Sequence, residues 1–435
     1  MTPRLDFTSE AFFRDPPKAI AALRAQGPVV ATRFPLVGNV WITTTHDATA
    51  QVLKDSATFT LRKEGGDVAG VRWWMPKLVT AIANNMLTMD EPDHTRLRSI
   101  VDEAFRRRAI VAMEPRIRAI ADDLAAGLFA GGSPADLVER YARILPLSVI
   151  SELLGLPMAD RPRFIAWANA MASLTNVASF IRLLFALRKM RRYLEAQLQH
   201  AREHGGEGLI AELVQVEREG GEITPDEMVA MVFLLLAAGS ETTTHLISGS
   251  VYELLKSPGL RDWLEEDWSR ASLAVEEFLR FVSPVQFSKP RYVRRDVELA
   301  GVRLKMGDRV MVMLAAANMD PAVHDQPERL DVERKPNRHM SFGTGIHFCL
   351  GHQLARIEAT CALQALFTRW PRLGLAVEPS QIHWRKRPGI RMIAKLPVVA
   401  GDGQPVDFLE ATTSRSQPNT ERPSRSGEAS RSPAM

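Results

Sequence analysis

One uninterrupted helical pattern, opening at Thr224-Pro225-Asp226-Glu227 and closing at Ser257-Pro258, limits what this chain can fold into. A threonine cap, a proline in the first helical position and a glutamate three residues after the cap start a helix firmly. A helix of about 33 residues is roughly 50 Å long at 1.5 Å per residue, enough to cross a large domain. Its flanks are apolar, but its middle reads Leu234-Leu235-Leu236-Ala237-Ala238-Gly239-Ser240-Glu241-Thr242-Thr243-Thr244. Glycine, an acid and three threonines each weaken a helix interior, and the hydroxyls compete for backbone carbonyls. This turn is predicted either to kink around small residues or to carry chemistry.

Shorter elements frame that helix. Residues 28–44 read as a hairpin turning at Gly38-Asn39, with β-branched residues on either side. From about 92 to 282 the 3.6-residue period dominates, with breaks at Gly131-Gly132, Pro157 and Gly205-Gly206. Alternation returns over 292–315, and 352–370 is helical again. Helices segregated from a small sheet make an α+β class, mostly α. With 435 residues, 46% of them hydrophobic, the chain can bury a sizeable core, and residues 1–400 are expected to form one domain.

Charge and cysteine use exclude other classes. A formal charge of +4 is modest and calls for no nucleic-acid partner. Two cysteines cannot make a disulfide framework and suit a reducing compartment. Residues 1–30 carry neither a signal core nor a membrane-spanning run, so a cytoplasmic protein without a membrane anchor is expected. Residues 401–435, rich in Ser, Pro, Arg and Glu, are too poor in apolar side chains to offset the entropy of ordering and are expected to be a disordered tail.

The second chemical signal is the run Phe342-Gly343-Thr344-Gly345-Ile346-His347-Phe348-Cys349-Leu350-Gly351. Gly345 and Gly351 permit backbone angles and close approaches that a side chain forbids, so a flat cofactor could sit against the loop. Zinc would need three or four ligands, whereas Cys349 has no CxxC partner and Cys361 lies twelve residues on inside a helical pattern. A single thiolate points to haem iron; the plainer alternative is a small buried hydrophobe.

The pattern Phe-x-x-Gly-x-His-x-Cys-x-Gly resembles the haem-binding loop of the cytochrome P-450 family, soluble bacterial type. The resemblance implies the P-450 fold and haem b as cofactor. It makes Cys349 the axial ligand within Phe342, Gly343 and Gly351, and His347 a contact to a haem propionate. Ala238-Gly239-Ser240-Glu241-Thr242-Thr243 looks like the family's oxygen-binding stretch, in which a small residue leaves room for O2, Thr242 hydrogen-bonds the activated oxygen and Glu241 feeds protons. Asp90-Glu91-Pro92-Asp93-His94-Thr95-Arg96-Leu97-Arg98 resembles a helix that reaches a propionate; His94 and Arg98, four apart, are expected to act as paired cationic donors. Arg291 matches a further propionate contact, with Arg294 and Arg295 as nearby alternatives. Glu277 and Arg280, three apart on a helix, with Arg334 in the loop before the cysteine, match a structural Glu-x-x-Arg pairing.

The activity implied is insertion of one oxygen atom of O2 into a C–H or C=C bond of an apolar organic molecule, hydroxylation or epoxidation. Electrons would come from a separate [2Fe–2S] or similar ferredoxin with an NAD(P)H-dependent reductase, since no flavin or iron–sulfur motif follows residue 400. A peroxide-driven peroxygenase and a non-catalytic haem sensor are the alternatives. A monomer is expected. Segments that line the substrate pocket in the family correspond here to Trp73, Trp74, Met75, Met171, Val285, Phe287 and Ile390. Arg106-Arg107-Arg108, expected to close the helix beginning near Pro92, would join Arg334, Lys335 and Arg338 in a basic face for an acidic ferredoxin.

Overall fold

The structure, a computed structural model, describes residues 6–35, 37–63, 84–102, 104–172 and 177–401, with the side chains of 168–180 excepted. Trp73, Trp74 and Met75, the side chain of Met171, and the expected tail beyond Gly401 lie outside the described residues.

The helix anticipated from its caps spans Pro225–Lys256, with Ser257 as C-cap. The Thr224 hydroxyl accepts from the Glu227 amide (3.2 Å), and the Glu227 carboxylate accepts from the Thr224 amide (2.8 Å). Each satisfies a donor that the first turn would otherwise leave bare. This central helix packs against the helices Ile144–Leu153, Ala271–Val282 and His352–Arg369. Leu246, Ile247, Val251 and Leu254 are fully or almost fully buried along it. Among the described residues it is the one helix long and apolar enough to cross a membrane, yet most of it is buried in the protein, as befits the core helix of a soluble chain.

Beside the helices lies a five-stranded sheet in the order Val29–Phe34, Gly38–Thr43, Arg309–Val312, Arg291–Val293, Phe59–Thr60. Only the pair Gly38–Thr43 with Arg309–Val312 is parallel, registering Trp41 with Val310. The first hairpin turns earlier than its sequence suggests. Phe34 pairs with Gly38, so the reversal comes before Gly38, which opens the return strand at φ +87°. Pro35 cannot continue the donor ladder, which moves the reversal forward.

Gly132, Gly205 and Gly206 interrupt the helices at positive φ as the breaks foretold. Two features of the helical stretch were not foreseen. Ala135–Asp136 forms a short strand that pairs with Pro397–Val399. The helix after Pro92 ends at Asp102, and Arg106 is the N-cap of a second helix, Arg107–Ala112. The three arginines therefore open a helix and do not close one, because Ala104 and Phe105 turn into the core ahead of them.

Candidate active site

Cys349 lies in a chain of tight turns that ends at the helix His352–Arg369. Its amide donates to the Phe342 carbonyl (2.9 Å), the Gly343 amide to Met340 (2.9 Å) and the Phe348 amide to Gly345 (3.0 Å). Gly345 is required, at φ +76°, because a Cβ there would lie 2.3 Å from the Leu53 carbonyl oxygen. Its smallness thus admits the helix His46–Lys54. Gly351 has an ordinary φ of −84°, so no unusual backbone angle requires it, and a Cβ on it would come no nearer than 4.0 Å to Phe105.

The half-buried Cys349 thiol is pushed above its usual pKa by burial, and the Gly351 amide, Arg98 and Arg356 pull it back only in part. A thiolate at this position is completed by a cation at the sulfur. Cys361, buried in the following helix, is raised to about 11 by burial and faces no such site.

Donors gather around this loop from two other elements, a helix and a strand. His94, on the helix Asp93–Asp102, meets His347 edge-on, ring centroids 4.3 Å apart. Arg98, one turn on, donates to the Phe348 carbonyl (2.9 Å) and to Asp102 (2.9 Å). Arg291, buried on its strand, donates one nitrogen to the Phe59 carbonyl (3.0 Å). It is the buried one of the three arginines considered, Arg295 being exposed and Arg294 half-buried. Among the described residues, His347 Nε2, His94 Nδ1 and Arg291 Nε are buried without hydrogen-bond partners. Burial first, then the charges of His94, Arg291 and Arg98, lower His347 to about 3, and burial likewise lowers His94. His94 and Arg98 stand one turn apart on the face of their helix that meets the cysteine loop. Buried nitrogens without acceptors call for one, and carboxylates are the strongest acceptors for such a set.

Across the core, Ala238 is exposed and Thr242 half-buried in the middle of an otherwise buried helix. The Thr242 hydroxyl donates to the Ala238 carbonyl (2.8 Å), and Ser240 and Thr244 donate likewise one turn back (2.6 and 2.8 Å). A Cβ on Gly239 would sit 3.3 Å from Ile150, so this glycine admits the neighbouring helix and Ala238 is the small residue that borders open space. Glu241 is bound by Arg387, a residue the sequence reading missed. The available signal was a run of cations, Arg385-Lys386-Arg387, just ahead of Ile390.

Val285 and Ile390 come together as a β-bridge, both half-buried. Phe287 instead packs in the core, its ring 5.2 Å from Phe7 and 5.0 Å from Phe34. Lys289, also missed, has ample accessible area, yet surrounding protein and then Arg387 lower its pKa. Glu277, Arg280 and Arg334 form a buried ion triad. Arg280 grips Glu277 with two nitrogens (2.7 and 2.8 Å), Arg334 adds a third contact (3.2 Å), and Arg280 also serves the Asn318, Pro327 and Arg329 carbonyls. Buried Arg334 is thereby removed from any surface cluster, whereas Lys335 and Arg338 are exposed.

The profile of the family described as Cytochrome P450 matches residues 271–371, which hold the triad and the cysteine loop. The chain is 40% identical over 403 residues to vitamin D(3) 25-hydroxylase of Pseudonocardia autotrophica, spanning 92% of this chain and 97% of that protein. The chain belongs to the cytochrome P450 family. The monooxygenase PikC of Streptomyces venezuelae is 37% identical over 89% of this chain and 91% of its own. Among solved structures, the myxobacterial cytochrome P450 CYP267B1, in complex with myristic acid, superposes with a TM-score of 0.83 at 35% identity, covering 91% of this chain and 99% of that one. As a cytochrome P450 the protein uses haem b and is a monooxygenase of organic substrates. The residues present fit that cofactor: one sulfur for one axial position, and buried nitrogens without acceptors for two propionates.

Proposed function

We propose that this P450 hydroxylates or epoxidises an apolar organic molecule, with Cys349 as axial ligand and His94, Arg98, Arg291 and His347 as holders of the haem propionates. The observation that carries the assignment is the convergence of unsatisfied nitrogens from His94, Arg291 and His347 beside the Cys349 loop. Haem iron, when bound, supplies the activation of O2. The chain's own part is positioning and proton supply. Thr242 Oγ1, which gives its proton to the Ala238 carbonyl, keeps lone pairs free to accept a proton and can turn to pass one on. Glu241 is the adjacent store, and it reaches Thr242 only by exchanging its hold on Arg387.

The substrate lies against Val285 and Ile390, with Lys289 bringing one charge to a mostly apolar wall. The relatives' names support an apolar organic molecule, one like vitamin D(3) being a candidate. Electrons come from a separate [2Fe–2S] ferredoxin and its NAD(P)H-dependent reductase, drawn to the exposed cations Arg107, Arg108, Lys335 and Arg338. The protein works as a cytoplasmic monomer whose residues 1–400 form one domain.

Cys349→His tests the central assignment. Thiolate ligation gives the ferrous carbonyl complex a strongly red-shifted Soret band, which the variant is expected to lose even where it retains haem. An unchanged band in the variant contradicts the assignment.

A further inference from the structure

Ala237, Ser240, Glu241 and Thr244 recur at i, i+3, i+4 and i+7 and so share a face of the central helix that excludes Ala238 and Thr242. On that face they line a cavity of about 60 Å³. Leu147, Phe164, Trp167 and Met190 close it from three neighbouring helices, and Arg385 and Met392 close it from the loop around Ile390. None of the residues assigned to the iron, the propionates or the substrate wall takes part.

Two side chains at this cavity lack partners. His245 is 6% exposed, and among the described residues neither ring nitrogen has a hydrogen-bond partner. Arg385 is half-buried, and among the described residues its guanidinium makes no hydrogen bond or ion pair. The carboxylates whose charge reaches it are already engaged, Glu139 by Arg143 (2.8 Å) and Glu241 by Arg387. Arg385 and His245 thus border a space whose walls are polar at Arg143, Ser240, Glu241 and Thr244 and apolar at Leu147, Phe164, Trp167, Met190 and Met392. Burial, then Arg387, Arg385 and Arg143, hold His245 near 3, so at neutral pH it offers one donor and one acceptor.

We propose that this cavity is a binding site for a small carboxylate, its oxygens on Arg385 and its alkyl end against Trp167 and Met190. Size sets the class: the space is smaller than the ~150 Å³ that admits benzene, which favours an acid of about two to four carbons. A bound carboxylate would lie against the turn that carries Glu241, so its affinity and the state of that turn are linked.

The test is calorimetric titration of the holoenzyme with sodium butyrate against sodium chloride at matched ionic strength. One saturable site is expected, with no movement of the Soret band. Arg385→Gln is expected to weaken it about tenfold or more, the loss of a charge-assisted hydrogen bond. Met190→Trp, which fills the cavity and leaves the cation in place, is expected to abolish it. Absence of a saturable site, equal binding in either variant, or a Soret shift on binding each overturns the proposal. A normal ferrous carbonyl band throughout keeps that outcome separate from a failure of the Cys349 assignment.

Discussion

Arg387 donates to the carboxylate of Glu241, tying the acid of the central helix to the loop that runs on to Ile390. The pair is part-exposed on both sides, so it can open without a large desolvation cost. Proton supply and the substrate wall thereby share one connection.

Thr242→Ala is expected to retain substrate binding and NAD(P)H consumption while diverting electrons to hydrogen peroxide. Glu241→Gln is expected to slow product formation about 10²-fold, the typical worth of a positioned acid, with milder uncoupling. Product and peroxide measured per NAD(P)H separate the two; loss of substrate binding in Thr242→Ala would assign that residue to the pocket.

Removal of Glu277 leaves Arg280 and Arg334 buried with unpaired charge. Glu277→Ala is expected to destabilise the fold by about 3–5 kcal/mol, the cost of breaking a buried pair from one side. Urea unfolding of the holoprotein, followed by haem absorbance and by far-ultraviolet circular dichroism, measures it; a change under ~1 kcal/mol would remove the triad from the scaffold.

Acid is expected to destabilise the protein through two buried histidines away from the cysteine loop. Burial, then neighbouring arginines, lowers His245 to about 3, faced by Arg387, Arg385 and Arg143. Burial also lowers His324 to about 4, faced by Arg280, Arg334, His46 and His339. Both folded values lie below the ordinary 6.5, so the unfolded chain takes protons first as pH falls. Their contribution is complete above about 6.5 and drains away toward 4, at up to about 2.7 kcal/mol per pH unit for two protons. His245→Asn should halve that slope in denaturation curves taken across the window.

Arg107→Glu with Arg108→Glu should slow reduction by a [2Fe–2S] ferredoxin and flatten its dependence on ionic strength. The geometry sharpens this expectation: both arginines are exposed at the start of a short helix, where cations oppose the dipole and contribute nothing to the helix itself. Stopped-flow rates unaltered in both respects would place the docking face elsewhere.

The central helix was legible from its ends because capping is local chemistry: Thr224, Pro225 and Glu227 lie within one turn and satisfy one another. The Cys349 loop was legible for the same reason, its residue types and spacing being set within ten positions. What the tertiary structure alone decided are partnerships between distant segments. Arg387 and Glu241 are 146 residues apart, and no periodicity joins them. Gly345 owes its identity to the Leu53 carbonyl, Phe287 belongs to a cluster with Phe7 and Phe34, and Ala135 finds its strand partner in Val398. Local patterns say which face of an element is apolar and where it stops. Which surfaces then meet depends on shape and on the pairing of buried charges and backbone groups, and these exist only once the chain has packed.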